Sequence, residues 1–373
     1  MPVTGDGRKG VLVVAEAPGG DEDDQNTQLI GRAGQTLRSA LSRIGVDLDR
    51  DCWKTNSIIC RPTTDTGSNR TPTDDEIDHC RPNLLNSIRD LDPRVVVVLG
   101  ASAVQSALAL HWSRSFGPLT QWVGWRIPMQ KGNRWICPTF HPSYVMRTEN
   151  QKEGPVVSLW FQRHLQAAFE LKGRPWDTIK PPSLDVVRTT MDCGVVGRFV
   201  DAAISDRSPI AFDFETNCLK PDSSLAEIVC CSICSGGRAT ICYPWTGDTA
   251  RITKKILESN VPKIGSNIKF EHRWAARFGI GVKNWVWDTV LSAHHLDNRS
   301  GITSVKFQAF VRLGQELWDS SVATHLESTD AQGFNKIREV DLNDIMLYCG
   351  IDSLMEWHVA SRQKFEMSRN LDT

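Results

Sequence analysis

The sequence predicts a two-domain α/β protein, and three observations carry that expectation. Short apolar runs alternate with helical stretches through the first half, the pattern of strands joined by crossover helices. A segment rich in proline and glycine, Lys172-Gly173-Arg174-Pro175 through Lys180-Pro181-Pro182-Ser183, then interrupts the chain. At 373 residues the chain is also too long for one ordinary core. The expected division is residues 1–172 as a first domain, 173–183 as a linker and 184–373 as a second domain.

Val11-Leu12-Val13-Val14-Ala15 is a continuous apolar run suited to a buried parallel strand, and Glu16-Ala17-Pro18-Gly19-Gly20 is a turn signal directly after it. Ligands of open α/β sheets bind at the carboxyl ends of strands, so Glu16 stands where chemistry is expected. A helix is predicted over 34–44, then strands over 53–59, 95–99 and 135–139, with helices over 74–91 and 101–110 between them. A helix over 160–171 closes the domain. In the second half, 186–189 reads as an edge strand, the run through Phe212 and Phe214 as a buried strand, and 344–364 as a helix continuing to about Met367.

Composition bounds the function. Hydrophobic residues make up 40% and charged residues 23%, as in a globular protein, and the formal net charge is −1. Bulk charge therefore does not draw nucleic acid, and local groups must do so: Arg61, Arg70, Arg81 and Arg147 in the first half, Lys269 and Arg273 in the second. The sequence has neither an apolar run of about 18 residues nor a charged leader followed by an apolar core, so a cytoplasmic protein without membrane contact is expected. Eleven cysteines fit a reducing compartment. Cys230, Cys231 and Cys234 lie in an apolar strand-like stretch and read as buried free thiols.

The second half carries acidic residues at telling spacings. Asp213 and Glu215 are two apart in a strand, so both carboxylates leave one face and can hold one ion. Tyr348 and Asp352 are four apart in a helix and share a face. A hard divalent cation bridged by such acids is the usual apparatus for phosphodiester cleavage. Phe212-Asp213-Phe214-Glu215-Thr216, Asn267-Ile268-Lys269-Phe270-Glu271 and Tyr348-Cys349-Gly350-Ile351-Asp352 together resemble the three motifs of the DEDD-type 3′-to-5′ proofreading exonuclease domain of DNA polymerase I, over residues 208–366. The resemblance implies an RNase H-like domain and two Mg²⁺ or Mn²⁺ ions held by Asp213, Glu215, Glu271 and Asp352. It further implies a water oriented by Tyr348 and substrate contact at Asn267. The second motif normally ends in aspartate; Glu271 departs from it by one methylene, and either Glu271 or Asp288 in Trp287-Asp288-Thr289 is expected to complete the metal site.

The first half resembles the family-four, iron–sulfur uracil-DNA glycosylases over about residues 11–170. Five ordered blocks carry the likeness: Ala15-Glu16-Ala17-Pro18-Gly19, Gly31-Arg32-Ala33-Gly34-Gln35, Thr55-Asn56-Ser57 through Pro62, Asn69-Arg70-Thr71-Pro72, and His141-Pro142-Ser143 with Arg147. The resemblance implies excision of uracil from a base flipped out of the stack. Breaking the glycosidic bond leaves positive charge on the sugar and negative charge on the base, which assigns Glu16 to the cation or its water and His141 to the base oxygen. Asn56 offers a donor and an acceptor to the pyrimidine edge, while Ser143 and Arg147 are expected on backbone phosphate. Leu29 stands where the family has an aromatic residue stacked on the base. Four cysteines hold the family's cluster; Cys60 and Cys80 match the second pair, and no cysteine precedes Cys52. The cluster is therefore expected to be absent or altered, with Cys52 and Cys137 as substitute ligands. DNA and a separately encoded DNA polymerase are the expected partners. Two alternatives stay open: a first domain that binds DNA without catalysis, and a replisome adaptor with no active site.

Overall fold

The computed structural model describes residues 1–328 and 333–371, in two compact units. The first comprises Met1–Pro181 with Leu313–Glu316, and the second Pro182–Arg312 with Leu317–Thr373.

The first unit runs β1 (Val11–Ala15), α1 (Gly20–Gln25), α2 (Arg32–Ser42), α3 (Leu48–Asp51), β2 (Cys52–Asn56), α4 (Asp74–Leu91), β3 (Val95–Leu99), α5 (Ala101–Leu108), β4 (Ile127–Met129), β5 (Arg134–Thr139), α6 (Pro142–Thr148) and α7 (Gly154–Phe169). Its sheet has the order β2-β1-β3-β5-β4. The first four strands are parallel, and Val11 stands opposite both Cys52 and Val95. Strand β4 is antiparallel to β5, so the sheet is mixed at one edge. Val11, Val13, Val95 and Val97 point into a core closed by Leu37 and Leu41 of α2, Val145 of α6, and Phe161 and Leu165 of α7. Helix α4 starts where Thr73 and Glu76 cap each other's backbone N–H groups at 3.3 and 2.8 Å.

The strand expected over 53–59 stops at Asn56. Ser57 and Ile58 instead donate their N–H groups to the Ala15 and Glu16 carbonyls, which turns the chain at the carboxyl edge of the sheet. The expected linker is not loose where it leaves the first unit. Arg174 donates to the Asp92 carboxylate at 2.7 and 3.1 Å, the Trp176 N–H to Asn133, and Ile179 packs on the core.

The second unit runs β6 (Val187–Thr189), α8 (Cys193–Asp206), β7 (Ile210–Thr216), β8 (Ile228–Ser235), β9 (Ala239–Pro244), α9 (Gly247–Leu257), β10 (Lys263–Gly265), α10 (Lys269–Arg277), β11 (Trp285–Asp288), α11 (Thr289–Leu296), α12 (Val305–Leu313), α13 (Ala323–Leu326) and α14 (Leu342–Leu371). Its sheet order is β11-β10-β7-β8-β9-β6. An antiparallel meander, β7-β8-β9, is extended by β10 and β11 parallel to β7 on one side and by β6 as an edge on the other, the RNase H-like arrangement. Helix α14 crosses β7, β8, β9 and β6. Gly350 permits that crossing, since a Cβ there would lie 2.5 Å from Val187 Cγ1. The Ser232 hydroxyl of β8 donates to the Cys349 carbonyl at 2.8 Å and fixes the helix over the sheet.

Candidate active sites

In the second unit the central strand β7 delivers the first two acids. Asp213 and Glu215 pair with Ser232 and Cys230 of β8, so both face α14. Carboxylate oxygens of Asp213 and Glu215 and the Cys349 thiol lie within 4.8 Å of one another. Glu271, in the first turn of α10, is 2% exposed, and its Oε2 has no hydrogen-bond partner among the described residues. Tyr348 and Asp352 are buried on successive turns of α14.

The electrostatics record the crowding. Burial, then the negative charge of Asp352, pushes the Asp213 carboxyl up to about 7. Burial raises Glu215 and Glu271 well above the ordinary carboxylate range, and Asp213 adds to both. A set of hard oxygen donors, mutually repelling and including a buried oxygen without a partner, fits a divalent cation.

Asp288, the other acid expected beside the second motif, is engaged by the backbone. Its two oxygens accept from four backbone N–H groups: Asn267 at 3.2 Å, Ile268 at 3.0 Å, Val290 at 2.8 Å and Leu291 at 3.2 Å. It therefore caps α11 and ties the second motif's turn to that cap. Asn267 sits in that turn, exposed and in the left-handed region with φ 60°. Asp288→Ala is expected to cost about 2 kcal/mol and to lower the melting temperature by about 4–8 °C, measured by calorimetry in EDTA.

Three residues of this site escaped the sequence reading. Lys306 of α12 donates to Tyr348 Oη at 2.9 Å and to both Asp352 oxygens at 3.1 and 3.3 Å. Trp318 Nε1 donates to Asp352 at 3.1 Å, and Lys306 Nζ lies 5.2 Å from the Trp318 ring centroid. Glu356, one turn beyond Asp352, is 2% exposed. A helical spacing of four from Asp352 was the available signal for Glu356; Lys306 and Trp318 lie outside the motifs and carried none.

In the first unit the expected residues gather at the carboxyl edge of the sheet. Glu16 follows β1, Asn56 ends β2, Gly100 follows β3 and His141 follows β5. Glu16 Oε1 accepts from the Ser102 N–H at 3.2 Å, so the carboxylate leans on the first turn of α5. Gly100, at φ 94°, makes the space: a Cβ there would lie 2.6 Å from the Glu16 carboxyl carbon. Asn56 is 3% exposed, with its amide nitrogen 3.8 Å from the Met1 sulfur.

His141 caps α6. The Ser143 N–H donates to its Nδ1 at 3.3 Å and the Ser143 hydroxyl lies 2.7 Å away. Nδ1 therefore acts as an acceptor and the ring proton belongs on Nε2. Burial lowers the imidazole's pKa, partly offset by Glu16 and Glu22, so the ring is held toward its neutral form. Ser143 and Arg147 were expected on phosphate. The Ser143 hydroxyl lies 2.7 Å from His141 Nδ1, and Arg147 donates to that hydroxyl at 3.2 Å.

Other expected residues stand as follows. Leu29 is 2% exposed, adopts φ 57° and packs in the core with Leu37 and Val11, so it presents no face to a base. Cys52 and Cys137 cannot share a cluster, because β1 and β3 lie between their strands and about 4.8 Å per spacing separates them by roughly 14 Å or more. Cys60 is exposed and Cys80 buried on α4. With two cysteines at most on that side, this chain does not fit the four-thiolate cluster. Of the arginines expected to supply local positive charge, Arg61 donates to the neutral Asn69 side chain at 2.7 Å and keeps its charge, while Arg70 is ion-paired at the surface, donating to both Glu76 oxygens at 2.8 and 2.6 Å. Arg81 likewise pairs with Asp78, and Arg273 with Asp222. Cys230, Cys231 and Cys234 are buried, and Cys231 faces away from Cys230, toward Tyr243.

Comparison with known proteins agrees with this division. Residues 2–163 match the model of the uracil DNA glycosylase superfamily and residues 200–354 that of the 3′-5′ exonuclease. The type-4 uracil-DNA glycosylase of Pyrobaculum aerophilum is 33% identical over 179 residues, which cover 45% of this chain and 81% of that protein. The Thermotoga maritima type-4 enzyme is 32% identical over 150 residues, 39% of this chain and 71% of the relative. A DNA polymerase of Bacillus phage SP01 is 24% identical over 326 residues, which span 80% of this chain and 34% of the polymerase. The chain belongs, through its first half, to the type-4 uracil-DNA glycosylase family, and in its second half carries a 3′-to-5′ exonuclease domain fused to it.

Proposed function

We propose that the chain removes nucleotides from the 3′ end of DNA with two Mg²⁺ or Mn²⁺ ions, and that its first half excises uracil from the same substrate class. The convergence of Asp213, Glu215, Glu271 and Asp352 on one buried cleft beside Tyr348 carries the first part. Metal held by these carboxylates would supply Lewis-acid stabilisation of the phosphoryl oxygens and a more acidic water. The chain's own residues supply the rest. Tyr348 Oη, held by Lys306, orients the attacking water, and the motif turn at Asn267, fixed by Asp288, borders the terminal nucleotide.

Excision of uracil follows from the carboxyl edge of the first sheet. Glu16 faces the developing sugar cation, His141 donates from neutral Nε2 to the base oxygen, and Asn56 reads the pyrimidine edge. Ser143 and Arg147 act as positioning residues for the imidazole. The cluster typical of type-4 relatives takes no part. The likeness to a phage DNA polymerase supports a place beside a polymerase, which we propose as the partner.

One substrate tests both activities: a 3′-recessed duplex with an internal uracil and a 5′ label, incubated with Mg²⁺ or EDTA and finished with alkali. The expected result is a ladder that EDTA abolishes and an alkali band at the uracil that EDTA leaves unchanged. Absence of the ladder in Mg²⁺ and Mn²⁺ overturns the exonuclease reading, and absence of the band the glycosylase reading.

A further inference from the structure

The second unit holds three buried acids that the exonuclease motifs do not account for, Asp288, Asp319 and Glu356. Glu356 follows Asp352 by one turn of α14, and its Oε2, like that of Glu271, is buried with no hydrogen-bond partner among the described residues. Burial, then the charges of Asp213, Glu271 and Asp352, raises the Glu356 carboxyl well above the ordinary range. A buried carboxylate oxygen with no partner is costly unless a cation answers it. The same site contains one extra cation: Lys306 is nearly buried, donates to Asp352 and Tyr348, and lies 4.7 and 5.2 Å from the Tyr348 and Trp318 ring centroids.

The charges balance only when both are counted. Four motif acids suit two divalent cations. Adding Glu356 alone would leave an uncompensated buried charge, and adding Lys306 alone would leave the site too positive for two ions. Together, five carboxylates and one ammonium keep the formal charge at minus four.

We propose that Glu356 is a fifth carboxylate of the cation site and that Lys306 is its compensating resident cation, the pair adjusting the site around the longer Glu271. The proposal rests on the exonuclease reading, and Mn²⁺ binding tests it without reference to activity. The measurement is calorimetric titration of the full chain with Mn²⁺ in the absence of nucleic acid, paired with melting temperature in EDTA.

Wild type is expected to bind two Mn²⁺ at the cleft, with Asp213→Asn abolishing that binding. Glu356→Gln, nearly isosteric, is expected to weaken one of the two ions at least tenfold and to raise the metal-free melting temperature, because an acid whose ionisation the fold opposes has gone. Lys306→Met is expected to do the reverse on both readouts, and the double variant to return toward wild type. A Glu356→Gln isotherm superimposable on wild type overturns the inference while leaving the exonuclease reading intact. Wild type that binds no Mn²⁺ overturns both.

Discussion

Asp213→Ala is expected to lower 3′-to-5′ digestion by about 10³-fold or more, a loss on the order of 4 kcal/mol in transition-state stabilisation. Asp213 is singled out because its charge acts on Glu215, Glu271 and Glu356 as well as on Tyr348, so it stands at the middle of the acidic set. Tyr348→Phe removes only a hydroxyl that orients water and is expected to cost about tenfold. The order of the two effects matters: a tyrosine variant as damaged as the alanine variant would make the phenol, not the cations, the centre of catalysis. Decay of a 5′-labelled primer under single-turnover conditions measures both. The alkali-sensitive cut at uracil in the same tube should stay at the wild-type level, because Glu16, Asn56 and His141 belong to the other unit.

The two halves were legible in the sequence to different depths, for physical reasons. Strands buried on both faces, such as Val11–Ala15 and Val95–Leu99, write themselves as continuous apolar runs and were found at their bounds. Helix α4 was found at its bounds too, since a capping box opens it. The short edge strand β4 carries only three residues and a proline, which gives no period to read. Within the sites, residues fixed by strand or helix spacing came together, as Asp213 with Glu215 and Tyr348 with Asp352. Residues whose role depends on what surrounds them could not be read. Asp288 looks like a spare ligand until its four N–H donors are seen, Leu29 like a stacking platform until its burial is seen, and Lys306 like a solvated charge until Asp352 is found beneath it.

His141→Ala is expected to slow uracil release by about 10²- to 10³-fold, the usual cost of removing one preorganised donor to a developing anion. The geometry gives this residue its weight. Acceptance at Nδ1 from the Ser143 N–H places the proton on Nε2, and burial keeps the ring toward neutrality, so a directional donor awaits the base before it arrives. Ser143→Ala leaves that N–H bond in place and removes only the hydroxyl, and Arg147→Ala removes the group that steadies the hydroxyl. Both should fall between wild type and His141→Ala, by roughly 3- to 30-fold, if they act through the ring. The alternative role for Ser143 and Arg147, holding DNA phosphate, predicts a different signature: weaker binding that worsens with salt, with little loss of rate at saturating DNA. Single-turnover excision at saturating enzyme, repeated at two salt concentrations, separates the two. A rate loss independent of salt assigns both residues to the imidazole, whereas a loss recovered at low salt returns them to the backbone. Digestion from the 3′ end by the same variants supplies the internal control for folding.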